Sequence, residues 1–175
     1  MAGHSKWAKV KHQKTITDAR KSKVFSKLVR FIAVEAKKAK GDRSSPGLRA
    51  AIDKARVANM PSDNIERAIE KAAGGAEVES LVYEAYGPGG AALIIEGYTD
   101  NRNRTAQEVK HILSKHGGSL AGPGAAMWAF AKNAEGRLEP TTPLELSDED
   151  LEKLATLVDE LEEHDDISDV FTNAA

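Results

Sequence analysis

Lysine ammonium groups dominate the chemistry of the first forty residues of this chain. From Met1 to Lys40 there are ten lysines and two arginines, Arg20 and Arg30, against two acids, Asp18 and Glu35, a net charge of +10. No acid precedes Asp18. Charges at this density repel one another, and a phosphodiester backbone is the commonest cellular polyanion that neutralises them. A lysine contacts phosphate as a point charge, without regard to base sequence. The expected contacts are Lys6, Lys9, Lys11 and Lys14 in the leading arm, with His4 and His12 among them, and then Arg20, Lys21, Lys23, Lys27 and Arg30. Trp7, alone among these cations, has a face on which a base or ribose stacks. The competing reading is a solvated face, or pairing with acids elsewhere in the chain.

A second constellation is Thr99-Asp100-Asn101-Arg102-Asn103-Arg104-Thr105, between a strand-like and a helix-like segment. Free N–H groups at a helix start, flanked by Arg102 and Arg104, would form an anion site. Equally, Asp100, Asn101 or Asn103 caps the helix and the arginines pair with acids.

Other chemistries lack residues. With no cysteine there are no disulfides, thiolate metal sites or cysteine nucleophiles. The five histidines are scattered, and His111 and His116 miss the i, i+4 spacing of a helical zinc pair. Gly87-Pro88-Gly89-Gly90 lacks the pattern of a phosphate loop and reads as a hairpin turn, as does Gly122-Pro123-Gly124. No catalytic set, cofactor, metal or small-molecule substrate is expected. No apolar run reaches the ~20 residues of a membrane span. Gly3 to Trp7 reads as mature protein rather than a leader, so a cytoplasmic location is expected.

Charge divides the chain. Residues 1–60 carry +12 and the remaining 115 carry −14, although the whole is only −2. A basic N-terminal helical domain, 1–76, is expected before an acidic domain, 77–175. In the first, residues 1–16 show no period and read as an irregular arm. A helix from Thr17 or Asp18 to about Lys40 has its apolar stripe at Val24, Phe25, Leu28, Val29, Ile32, Ala33 and Ala36. Ser45-Pro46 opens a second helix, to about Ala58, and Ser62 caps a third, Asp63 to Ala73. Together they predict a three-helix bundle.

In the second domain Leu81–Tyr86 and Ala91–Tyr98 read as strands. A helix over Arg104–His116, a strand over Ala125–Lys132, a possible strand from Arg137, an acidic helix after Ser147 and a strand at Val170–Thr172 follow. From Ala91 this is a ferredoxin-like β-α-β-β-α-β unit, with Leu81–Tyr86 added at its edge or in a hairpin. The fold class expected is α+β.

Several long stretches resemble the YebC family. They are MAGHSKW at Met1–Trp7, LRAAIDKARVANMPSDNIERAI at Leu48–Ile69, YEAYGPGG at Tyr83–Gly90, TDNRNRTAQEV at Thr99–Val109 and KHGG at Lys115–Gly118. A weaker match covers Leu157–Asn173. Similar proteins carry a further α+β domain inserted after the strand at Ala125–Lys132; here Asn133 to Arg137 passes straight to the C-terminal segment. The resemblance implies a non-enzymatic regulator of gene expression and makes Arg102 and Arg104 a second nucleic-acid contact. A ribosome-associated translation factor is the favoured role, because dense lysines suit a surface read by shape and charge, such as ribosomal RNA. A transcriptional regulator on duplex DNA is the alternative.

Overall fold

The computed structural model describes residues 6–11, 18–75 and 77–175. His4, His12 and Lys14 lie outside them. The chain divides into two compact units, one of residues 15–81 with 98–102, the other of 1–14, 82–97 and 103–175.

The helical unit is built from α2 (Asp18–Lys38), α3 (Pro46–Val57) and α4 (Ser62–Ala73). Their apolar stripes meet in one core of Leu28, Ile32, Leu48, Ile52, Ile65 and Ile69, closed by Ala36, Ala51, Ala55 and Ala72. Val24, expected on the same stripe, lies outside this core and is 44% exposed. The alanines let the helices approach closely, and none of these short stripes is stable unpartnered. Gly41, at φ +81, ends the first helix by donating to the Ala36 carbonyl at 2.9 Å. Ser45 occupies the N-cap of α3 with Pro46 inside it, although its hydroxyl makes no capping bond. At α4 the N-cap is Pro61, so the expected cap, Ser62, is the first helical residue.

The α+β unit is organised on a four-stranded antiparallel sheet of order β3-β1-β2-β6, with β1 at Glu79–Tyr86, β2 at Ala92–Thr99, β3 at Ser119–Ala121 and β6 at Ile167–Thr172. Helices α5 (Arg102–Lys115) and α6 (Asp148–Glu163) bury Val109, Ile112 and Leu113, and Leu151, Leu154, Leu157, Val158 and Leu161. Ser147 caps α6 by accepting the Asp150 N–H at 3.1 Å. Ala92, Ile94 and Phe171, which share one face of the sheet by register, pack instead on Ala126, Ala129, Phe130 and Leu138.

Mixed helix and sheet, with helices first, is the class the sequence predicts, but the strands are distributed differently. The strand expected over Ala125–Lys132 is a turn, a 3-10 turn at Met127–Ala129 and a short strand, β4 (Phe130–Lys132). It pairs with β5 (Leu138–Pro140) in a separate two-stranded sheet. Strand β1, expected at the edge or in a hairpin, takes the second place: it pairs beside β2, the next strand in the chain, and has β3 on its other side.

Glu84 explains the curl after β3. Its carboxylate accepts the backbone N–H groups of Gly124, Ala126 and Met127 at 2.7, 2.7 and 2.8 Å. Tyr86 donates to the Ala125 carbonyl, and Trp128 Nε1 donates to the same carbonyl at 2.9 Å. The loop is thus folded back over β1, and Trp128 is fixed with 57% of its surface exposed. Burial raises the Glu84 pKa, but the three N–H donors together outweigh it and hold the carboxyl below its ordinary value near 4.5. A depressed folded pKa contributes stability that is complete above the ordinary value and disappears as pH falls through the folded one. Glu84→Ala is expected to cost about 2 kcal/mol at neutral pH, and the deficit should shrink on acidification below about pH 4.5. Urea unfolding of both chains at several pH values measures it.

Candidate nucleic-acid interface

On α2 the cations are ordered. Arg20, Lys23, Lys27 and Arg30 follow at intervals of three, four and three residues, so they line one face of the helix. Lys21 falls on another face. Lys21 and Lys23 are exposed; Arg20, Lys27 and Arg30 are half-buried. The buried side of the same helix, Leu28, Ile32 and Ala36, fixes the direction of this stripe by anchoring it in the bundle core. Arg43, in the α2–α3 connection, clamps α4 through a two-pronged pair with Glu66, its Nη1 donating to Oε1 at 2.8 Å. That hydrogen bond, with the charge beside it, raises the Arg43 pKa and lowers that of Glu66.

The leading arm departs from expectation. Lys6–Val10 forms a short helix, α1, rather than irregular chain. It lies against α6 in the α+β unit, and two of the predicted phosphate contacts are paired there. Lys6 Nζ stands 3.6 Å from Asp148, and Lys11 Nζ donates to Glu162 at 3.2 Å. Lys9 is exposed and Trp7 half-buried. The positive charge of the arm therefore has an acidic partner inside the chain. Such exposed pairs are weak, about 0.2–1 kcal/mol each, so a polyanion displaces them at modest cost. Neutralising both carboxylates, Asp148→Asn with Glu162→Gln, is expected to tighten RNA binding by roughly twofold to tenfold, an effect that fades with salt. Titration of a labelled RNA in low and high salt measures it.

Arg102 and Arg104 are brought to carboxylates, the second of the two arrangements the sequence allowed. Arg102 Nη2 donates to Glu79 at 3.0 Å and to the Ser80 carbonyl at 3.2 Å. That bond holds the Glu79 carboxyl below its usual range. Arg104 Nη2 donates to the buried Asp166 at 2.9 Å, and Thr105 Oγ1 donates to the same oxygen at 2.6 Å. Thr99 Oγ1 accepts the Asn101 N–H at 2.9 Å, which shapes the turn before α5. These arginines fasten the start of α5; an open anion site between them is not formed.

Glu108, His164 and Asp166 place three potential metal ligands within 4.8 Å of one another, a grouping that the sequence reading missed because they are up to 58 residues apart. Their atoms are occupied by one another and by neighbours. His164 Nδ1 accepts the Asp166 N–H at 3.0 Å, which leaves Nε2 as the donor to Glu108 at 2.7 Å. With Arg104 and Thr105 on Asp166, the set reads as a hydrogen-bonded clamp. Among the described residues no helix is long and apolar enough to cross a membrane.

The chain matches the family model described as the TACO1/YebC protein N-terminal domain over residues 5–75, and that of the TACO1/YebC second and third domain over 78–135 and 131–174. It is 53% identical, over 136 residues, to a probable transcriptional regulatory protein of Thermosipho africanus, covering 75% of this chain and 54% of that protein. It thus spans about half the length of such relatives. A protein of the same description from Thermoanaerobacter pseudethanolicus is 36% identical over 237 aligned positions, covering 99% of this chain and 96% of that one. Among solved structures, a conserved hypothetical protein of Aquifex aeolicus superposes with a TM-score of 0.86 at 31% identity, over 98% of this chain and 97% of that chain. The matched residues take in both units, and the chain belongs to the TACO1/YebC family.

Proposed function

We propose that this chain regulates gene expression by binding a nucleic acid through the cationic face of α2, acts without catalysis, and takes structured RNA of the ribosome as its partner. The observation that carries the reading is the stripe Arg20-Lys23-Lys27-Arg30, held outward by the bundle core on its opposite side. Four cations spaced along one helix face match successive phosphates, which lysine and arginine bind without regard to base. Helices α3 and α4 are joined by four residues, as in a helix-turn-helix. The exposed positions of α4 include Asp63 and Glu70, however, and carboxylates there oppose entry into a DNA groove.

The relatives described as probable transcriptional regulatory proteins favour the second reading, a transcriptional regulator on duplex DNA. Sedimentation through sucrose gradients separates the two. The chain is expected to travel with ribosomal particles at low salt and to leave them as salt rises. A chain that stays at the top of the gradient yet shifts duplex DNA of defined sequence would reverse the choice.

A further inference from the structure

We propose that a groove on the helical unit receives one unpaired nucleotide of the bound RNA, with guanine the base it fits best. This rests on the RNA-binding reading above and adds to it a site for a base. The groove has a volume of about 710 Å³, within the size range of small-ligand sites, and runs beside α2 and α4. Phe25 and Val29, both partly buried against the bundle core, give it apolar lining. Ser26 and Arg30 follow at one-turn intervals from Ser22 along α2, and Lys71 comes from α4. Glu77 and Asp100 supply carboxylates from two other segments.

This combination has one economical occupant. An aromatic ring stacks a base whatever its identity. Two cations on different helices suit a phosphate, Arg30 in the forked geometry that phosphate oxygens accept. Serine hydroxyls pair with a ribose 2′-OH. A carboxylate is an acceptor only, and guanine is the base that presents two adjacent donors, N1–H and the N2 amino group. An apolar ligand would strip water from the exposed charges of Lys71 and Glu77, at a desolvation cost. The site is also continuous with the proposed phosphate track, because Arg30 belongs to both.

Guanosine 5′-monophosphate, titrated into the full chain and followed by NMR, is the direct probe. Shifts at Phe25 and Val29 are expected, about tenfold weaker binding for uridine 5′-monophosphate, and loss of both shifts in Ser26→Trp, which fills the groove from an exposed position. Ser26→Trp should weaken a single-stranded, guanine-containing RNA about tenfold and leave a blunt RNA duplex within twofold. Lys71→Ala, an exposed change that fills nothing, should weaken the monophosphate severalfold and serves if the tryptophan variant misfolds. Unchanged single-strand binding in Ser26→Trp, or a monophosphate that leaves Phe25 and Val29 unmoved, overturns the groove while the phosphate track stands. A chain that binds neither duplex nor single strand overturns both.

Discussion

Replacing Arg20, Lys23 and Lys27 together by alanine is expected to weaken binding to structured RNA by about a hundredfold or more at roughly 0.1 M salt. Each phosphate contact enters the affinity as about the −0.7 to −0.9 power of the salt concentration, which is about fivefold to eightfold per contact at that salt. Three contacts multiply to between about one hundred and several hundred, and the log–log salt slope should fall by about two to three units. The helix itself should persist. None of the three belongs to the buried cluster of the bundle, and alanine is the best helix former. Lys21→Ala is the control, since Lys21 sits on the same helix but off the stripe. Equal losses from Lys21 and from each stripe residue would mean diffuse charge rather than a directed face. A triple variant that binds as tightly as the parent, with an unchanged salt slope, would move the site off α2 altogether.

The sequence announced some parts of this molecule and could not announce others. The bundle was legible because its apolar positions repeat at helical spacing without interruption and are bounded by Gly41, Pro46, Pro61 and Gly74. Helix α6 was legible for the same reason, down to the Ser147 cap that the structure forms. Strand β3 was not. Ser119–Ala121 has three residues and no alternation, and it exists because β1 pairs with it while Glu84 gathers N–H groups beyond it. Those bonds span 40 residues or more, so local pattern favoured the apolar run over Ala125–Lys132 instead. The short α1 is also a tertiary product: five residues are too few to hold a helix alone, and α6 supplies the support.

The same limit governs the candidate site. That cations lead the chain is visible in composition, and the Arg20 stripe follows from counting once α2 is granted. What Arg104 does is decided by Asp166, 62 residues away, and by the buried hydroxyl of Thr105 on the same oxygen. Spacing offered an anion site or an ion pair on equal terms, and only the path of the chain between α6 and β6 chose. The two stretches matched to the second-and-third-domain model overlap over residues 131–135, at the tight turn from β4 to β5, where the longer relatives are expected to carry an additional domain. Asn133 closes that turn, its Oδ1 accepting the N–H groups of Glu135 and Arg137, both at 3.0 Å. The alignment to the Thermoanaerobacter relative runs to 237 positions against the 175 residues of this chain, which is consistent with such an insertion there.

Gly97→Ala is expected to be among the most damaging single substitutions in the α+β unit. Gly97 lies where the pairing of β2 with β6 shifts register. A methyl group there would overlap the Asp166 carbonyl oxygen, 2.9 Å from the carbonyl carbon and 3.1 Å from Ile167 Cα. All three atoms are backbone, so no side chain can rotate away. To make room, residues 166–167 must move, and with them the carboxylate that Arg104 and Thr105 grip. A cost of about 3 kcal/mol follows, with a melting temperature lower by roughly 6–12 °C. Gly122→Ala is the matched control: open space surrounds its Cβ position and its φ is not positive, so its stability should change by no more than about 0.5 kcal/mol. Calorimetry of both variants measures the difference. Because the proposed phosphate track belongs to the helical unit, RNA affinity of the Gly97 variant well below its melting temperature should stay within about twofold of the parent. A variant that melts normally would show that the β2–β6 approach tolerates a side chain. One that melts early and also loses RNA binding in the cold would place part of the contact on the α+β unit.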